Sequence, residues 1–348
     1  MITPEQQRWK EVEYSRSKII KSGKIIKDPT ATVEGKIEAI RVIDNWRAAH
    51  AFPMHVIYMH LRRMAENPES IVVAERLKRL DSIIKKLERE PTMSLWTMQD
   101  LGGCRFIVPS IEEVYYYANK YDKSRKRHIY KDQSDYIRNP KESGYRSLHM
   151  VYEYHSDTVD KYNRNLLIEI QYRTHLQHLW ATAVETVGLF RHEPIKAGQG
   201  DKDFIRFFQL VSSLFALQEN SPIIPGTTAD RKKLVNEIIK IDKKHHILDM
   251  LGAVRVAVYT QEQMIKNAQG YYILILNYDQ KRLSVKYYKP SQIETANRIY
   301  GEIEQSKTQA NIDAVLVRVS SFQTLKKAYP NYFSDIGEFL TLLAQYIE

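Results

Sequence analysis

The chain has 348 residues, 43% of them hydrophobic, with 52 Lys and Arg against 42 Asp and Glu and a net charge of +10. That length favours two domains, and the apolar fraction suffices for ordinary globular cores. A single cysteine, Cys104, excludes a disulfide framework and a cysteine-based zinc site, and neither a membrane-length apolar run nor a signal-peptide core is present, so a cytoplasmic protein with no membrane partner is expected.

In chain order, residues 4–22 read as a helix marked by Trp9, Val12, Ile19 and Ile20, and Arg16, Lys18, Lys21, Lys24 and Lys27 form a basic run. Asp28-Pro29-Thr30 breaks that segment. Helices follow from about Val33 to Ala49 and from Pro53 to about Ala65, where Asn67-Pro68 ends the second. Val72–Arg89 carries Arg76, Lys78, Arg79, Lys85 and Lys86, which by themselves would pass for a charged helix face. Trp96–Val108 contains Asp100-Leu101-Gly102-Gly103-Cys104-Arg105 ahead of an apolar strand, Phe106-Ile107-Val108. Ile111–Tyr121 is an amphipathic, Tyr-rich helix. Lys120–Lys141 holds eight cations, Arg125 and Arg127 among them, against three acids, with Tyr130 and Tyr136 interleaved. Such a mixture suits a single-stranded nucleic-acid end, and equally the wall of a nucleotide pocket.

Pro140-Lys141-Glu142-Ser143-Gly144-Tyr145 is a turn by composition, and Arg146–Tyr154 reads as a strand. Leu166–Arg173 alternates, which places Glu169, Gln171 and Arg173 on one strand face and Ile168, Ile170 and Tyr172 on the other. A carboxylate, an amide and a guanidinium side by side make a polar site. After the loop HEPIKAGQGDKDFIR comes an apolar helix, Phe204–Leu217, then a Pro/Gly linker from Ser221 to Gly226 and a connecting helix, Arg231–Met250. The rest reads as a small α+β module: strands Val254–Tyr259, Tyr271–Tyr278, Leu283–Tyr288 and Ala314–Val319, and helices Ile293–Glu304 and Ile336–Ile347.

The spacing of Asp135-Tyr136-Ile137, Pro140-Lys141, Gly144-Tyr145, Ser147, His149, Glu169-Ile170-Gln171, Arg173-Thr174, His178 and Trp180-Ala181 resembles the synthetase domain of the RelA/SpoT family. The resemblance extends upstream to Arg76, Lys78 and Lys86 and to Asp100 with Arg105, and ends near residue 217. It implies an α+β fold, with a mixed β-sheet nucleotidyl pyrophosphotransferase domain flanked by helices. It also implies transfer of the β,γ-pyrophosphate of ATP to a 3′-hydroxyl. By that resemblance Arg76, Lys78, Lys86 and Arg105 bind ATP, Asp100, Glu169 and Gln171 are catalytic, and Asp100 and Glu169 hold magnesium. Lys141, Tyr145, His149 and Arg173 would bind the acceptor, Tyr145 as a flat platform for its base.

Ser134, Ser143 and Glu185-Thr186-Val187-Gly188 depart from the pattern common among alarmone synthetases, and resemble the toxic small-synthetase branch that modifies the 3′ end of tRNA. Lys18, Lys21, Arg125 and Arg127 are then the expected contacts to tRNA near its CCA end, with GDP or GTP as the alternative acceptor and an inactive RNA-binding module as a second alternative. Tyr329-Pro330-Asn331-Tyr332, following a module without cysteine, resembles the CapRel group of fused toxin–antitoxin proteins. That implies a pseudo-zinc-finger-like C-terminal domain in which Tyr329 and Tyr332 restrain the enzyme until a phage protein, such as a major capsid protein, binds. The expected division is 1–217 synthetase, 218–250 linker and connecting helix, and 251–348 regulatory domain.

Overall fold

The computed structural model describes residues 9–67, 69–191, 193, 195–256, 269–277, 282–306, 312–321, 324, 325, 328 and 336–347. Tyr329 and Tyr332 lie outside these residues. Among the described residues the chain is α+β, and its strands form one eight-stranded mixed sheet, in the spatial order β3 (Ile129–Asp135), β4 (Leu148–Glu153), β5 (Leu167–Thr174), β2 (Gly102–Val108), β1 (Val72–Leu77), β8 (Ile312–Val319), β6 (Gly270–Asn277) and β7 (Arg282–Tyr288).

The first half supplies β1 (Val72–Leu77), β2 (Gly102–Val108), β3 (Ile129–Asp135), β4 (Leu148–Glu153) and β5 (Leu167–Thr174). β2 and β5 are parallel, and their neighbours in this half run antiparallel to them. Alternation decides which face each residue takes. Cys104, Phe106, Met150, Tyr152, Ile168, Ile170 and Tyr172 are buried against the helices α3 (Ala51–Met64) and α5 (Ile111–Asp122). Arg76, Arg105, His149, Glu169 and Gln171 occupy the alternate positions and take the other face, over which α6 (His175–Arg191) and α7 (Lys202–Gln218) stand.

Three further helices complete this half. The helix α1 is shorter than expected, Arg16–Lys27, with Ser15 as its N-cap. It packs with α2 (Val33–Ala49) and α4 (Leu80–Arg89) around Trp46, Ile83 and Leu95. Two strands escape the sequence reading. β1 opens the cationic stretch Val72–Arg89, and β3 runs through the basic stretch 120–141 as an exposed edge.

The expected boundaries at 217 and 250 do not divide the sheet. The strands β6 (Gly270–Asn277), β7 (Arg282–Tyr288) and β8 (Ile312–Val319) extend it past β1, with Glu75 opposite Arg318 and Arg76 opposite Val317. The helix α10 (Ile293–Ser306) covers these strands on the face that carries Tyr271, Ile273, Ala314 and Leu316. The expected connecting helix is two: α8 (Arg231–His245) and α9 (Ile247–Val256), separated by His246 in the left-handed region at φ 52°. Residues 254–256 are therefore helical where a strand was expected. Leu234 and Ile238 of α8 and Phe339 and Leu343 of the last helix, α11 (Gly337–Ile347), are fully buried in one apolar cluster with α6 and α7.

Candidate active site

Two adjacent rows of the sheet build the site. Across β1, β2 and β5, Arg76 pairs with Gly103 and Gly103 with Glu169. One step along, Arg105 of β2 pairs with Gln171 of β5, which pairs with His149 of β4. Gly103 puts no side chain between Arg76 and Glu169, so the sheet carries a depression there. The resulting cleft has a volume of about 260 Å³ and is lined by Arg76, Lys78, Asp100, Gly103, Cys104, Arg105, Glu169, Gln171, Glu185 and Lys196. Of the residues singled out from sequence, Arg76, Lys78, Asp100, Arg105, Glu169 and Gln171 thus meet at one place.

On one wall Asp100 holds two ammonium groups. Lys78 Nζ donates to its Oδ2 at 2.8 Å, and Lys86 Nζ lies 3.2 Å from the same oxygen. Burial would push the Asp100 carboxyl up, but Lys78 and Lys86 hold it down at about 2. Its other oxygen, Oδ1, is buried and without a hydrogen-bond partner. Burial also lowers Lys78, against the opposing pull of Asp100. Arg105 Nη1 donates to the carbonyl oxygen of Ala328, 2.7 Å away, which brings the C-terminal region to this wall.

The opposite wall is a closed ring of hydrogen bonds. His149 Nδ1 is 2.7 Å from Glu169 Oε1, Gln171 Nε2 donates to Glu169 Oε2 at 2.6 Å, and Arg173 Nη2 donates to Gln171 Oε1 at 2.7 Å. Arg173 Nη2 also donates to the Tyr145 hydroxyl at 2.9 Å, and that hydroxyl is 2.8 Å from His149 Nε2. Strand alternation aligns Glu169, Gln171 and Arg173, and the loop before β4 delivers Tyr145. Gly144 turns that loop at φ 96°, under Trp180 and the backbone of Phe208. Burial disfavours the charge on His149, yet Tyr145 and Glu169 outweigh it and hold the imidazole above its ordinary value. Burial likewise raises Glu169, and His149 overrides it to keep the group a carboxylate.

Tyr145 is 5% exposed, with Lys196 Nζ 5.0 Å, Arg173 Cζ 5.6 Å and Lys141 Nζ 5.7 Å from its ring centroid. A base that stacks there has to displace one of these cations. Lys141 lies closer to the half-buried ring of Tyr136, at 4.4 Å. Lys18, Lys21, Arg125 and Arg127 do not line the cleft. Lys18 faces Glu38 at 3.3 Å and Arg127 faces Asp157 at 2.8 Å, while Lys21 and Arg125 are exposed.

Two charged cleft residues, Glu185 and Lys196, were not singled out as site residues from sequence. Glu185 was noticed only as a departure from a pattern, and Lys196 only as part of a loop. Burial would raise Glu185, but Lys196, Arg105 and Arg76 hold it well below the usual carboxylate range. The signal in the sequence was a lone acid in the otherwise uncharged stretch from Leu179 to Phe190. Among the described residues no group of three or more His, Cys, Asp or Glu is placed to hold a metal by itself.

Residues 75–191 match the model of the region found in RelA / SpoT proteins. The chain is 38% identical over 112 residues to GTP pyrophosphokinase YjbM of Bacillus subtilis (strain 168), a match covering 32% of this chain and 52% of that protein. It is 32% identical over 112 residues to GTP pyrophosphokinase YwaC of the same organism, covering 31% and 52%. The chain thus spans about half the length of the curated relatives it matches. A crystal structure of the small alarmone synthetase 1 from Bacillus subtilis bound to its product pppGpp aligns with a TM-score of 0.42 at 25% identity, over 49% of this chain and 89% of that one. The matched region begins on β1 and ends with α6, so it holds every cleft residue except Lys196. Residues 75–191, which supply all of the cleft but Lys196, are thus similar to the region found in RelA / SpoT proteins.

Proposed function

We propose that the protein is an ATP-dependent pyrophosphokinase that moves the β,γ-pyrophosphate of ATP onto the 3′-hydroxyl of a guanosine nucleotide. The observation that carries this reading is the placement of Asp100 and Glu169 in one cleft with Arg76, Lys78 and Arg105, and with Lys86 on Asp100. The names of both curated relatives, GTP pyrophosphokinases, support the nucleotide acceptor.

In this reaction the acceptor 3′-oxygen attacks the β-phosphorus, the bond from the β-phosphorus to the α–β bridging oxygen breaks, and AMP leaves. Transfer of this kind needs positioning and charge neutralisation more than covalent help. Arg76, Lys78, Lys86 and Arg105 supply the positive charge for the triphosphate. Glu169, a carboxylate in the cleft, is the base for the hydroxyl proton, and its ring partners His149 and Gln171 fix its two oxygens. Magnesium is held through one or two carboxylates together with phosphates. The buried, partnerless Oδ1 of Asp100 fits that demand, and Glu169 is the second candidate ligand. When bound, the ion would neutralise charge on the phosphates.

The second reading takes the 3′ end of tRNA as acceptor and makes the protein a toxin released by a phage protein. It is favoured by the basic residues Lys18, Lys21, Arg125 and Arg127 outside the cleft, and by the hydrogen bond from Arg105 to Ala328, one residue before Tyr329. Incubation with ATP labelled in its β- or γ-phosphate, with GDP, GTP and tRNA offered in parallel, separates the two. Label on GDP or GTP is the expected outcome. Label on tRNA alone would replace the first reading with the second, and label on none would refute both.

A further inference from the structure

Lys196 and Glu185 form an ion pair in the cleft that no motif accounts for. Glu185 lies in α6, and Lys196 lies in the short turn that follows it, beyond the matched region. Lys196 Nζ is 2.5 Å from Glu185 Oε1, and both side chains are about a third exposed, at 31% and 30%.

The turn is fixed at its base. The Glu193 N–H donates to Gly188 O at 3.0 Å, and the Gly198 N–H donates to Ile195 O at 2.8 Å. Ile195, 1% exposed, joins the apolar cluster of α6 and α7. Gly198 has a φ of +77°, and a Cβ there would stand 3.6 Å from the Ser143 Cβ, so the turn lies against the Pro140–Tyr145 loop. The anchored stem thus directs an ammonium to the ring of Tyr145, 5.0 Å away, where Lys141 also sits at 5.7 Å. These two lysines come from separate segments and each lies near the same aromatic ring. An open carboxylate partner keeps the ammonium aimed inward, and a phosphate, with higher charge and more acceptor oxygens, can take it over.

We propose that Lys196, positioned by Glu185, binds the phosphates of the acceptor nucleotide together with Lys141. This deepens the pyrophosphokinase reading and rests on it. Lys196 is then a specificity residue for the acceptor rather than for ATP, and Glu185 a positioning residue.

The test compares the full-length parent with Lys196→Met, Lys196→Arg and Glu185→Gln, each shown by thermal melting to be folded. GDP binding is measured by calorimetry, and KM for GDP, KM for ATP and kcat are measured with labelled ATP. Lys196→Met should weaken GDP binding and raise its KM about tenfold or more, the loss expected of one charge-assisted contact. KM for ATP should stay within about twofold, Lys196→Arg should restore most of the affinity, and Glu185→Gln should show a smaller loss of the same kind. Unchanged GDP binding in Lys196→Met, or a rise confined to the KM for ATP, overturns the assignment. Failure of the enzyme reading is visible separately. A parent that binds GDP but transfers no label refutes that reading and leaves the calorimetry to decide for Lys196. A parent that binds no GDP overturns the Lys196 proposal, whether or not tRNA is labelled.

Discussion

Asp100 combines two properties that ordinary surface carboxylates lack: one oxygen carries two lysines, and the other is buried with nothing to accept. An amide there would lose the charge that aligns Lys78 and Lys86. Asp100→Asn and Glu169→Gln should each cut kcat about a thousandfold or more, corresponding to several kcal/mol of lost transition-state stabilisation. A tenth of the parent rate in Glu169→Gln would remove that residue from the chemistry. His50 shows a different effect of burial. Burial depresses its pKa from the ordinary 6.5 to about 4, against a small opposing contribution from the Trp46 carbonyl, to which Nδ1 is 2.7 Å. Its Nε2 is buried and partnerless, so the neutral ring is the form the fold accepts. The sign follows from the lowered value. This contribution to stability is complete above pH 6.5 and is lost as the pH falls towards 4, by about 3 kcal/mol in all. Denaturant unfolding at pH 7.5 and 4.5 should show a smaller acid loss in His50→Gln than in the parent. Equal losses would mean that His50 does not set the acid sensitivity.

At the level of elements, legibility followed how plainly the physical demand was written in the residues. β5 was readable because apolar and polar positions alternate without exception from Ile168 to Arg173, and the polar set is the site itself. β1 was not, because its sequence VVAERL hides a buried acid: Glu75 is 2% exposed in a strand whose neighbour Arg76 faces the cleft. β3 was missed because it is an exposed edge of polar residues, and nothing about burial constrains its pattern. His246 separates α8 from α9 in the left-handed region, which histidine enters more often than most residues but still uncommonly, and no Gly or Pro announced the break. The pairing of β1 with β8 depends on distant residues and was equally hidden. At that seam Glu75 lies opposite Arg318, His55 Nδ1 is 3.2 Å from Glu75 Oε1, and Arg318 Nη1 is 2.8 Å from His55 Nε2 and 2.9 Å from the Tyr271 hydroxyl. Removing one partner of a buried charged cluster costs about 3–5 kcal/mol because the other charge stays buried. Arg318→Met should therefore lower Tm by several degrees, and adding Glu75→Gln should recover part of the loss. A double variant less stable than the single one would show that the two residues do not act as a pair.

For the whole molecule, the layout constrains how the C-terminal region could regulate the cleft. A detachable regulatory domain should leave behind a catalytic part with a closed core. Here α6 and α7 share one apolar cluster with Leu234 and Ile238 of α8 and with Phe339 and Leu343 of α11, each of those four fully buried. β8 also pairs with β1, whose Arg76 lines the cleft. Complete departure of residues 218–348 would expose that apolar face and leave Arg318's partners Glu75 and His55 uncovered, which costs stability and invites association. Local movement near Ala328 would release the Arg105 guanidinium from that carbonyl and open the small cluster in which Leu325 and Ala328 are buried with Val72, Ala74 and Ile107, a smaller disturbance than losing the whole region. Any control exerted from this region is therefore expected to act by a local shift beside Arg105 while α8, β8 and α11 stay in place. A chain cut to residues 1–217 should be poorly soluble or associated, whereas the full-length protein should be soluble and should melt in one cooperative step. Solubility, size-exclusion profiles and calorimetric melts of the two proteins decide the matter. A soluble, monomeric and stably folded 1–217 fragment would show that the catalytic core closes without the rest and that departure of the whole region is open to it.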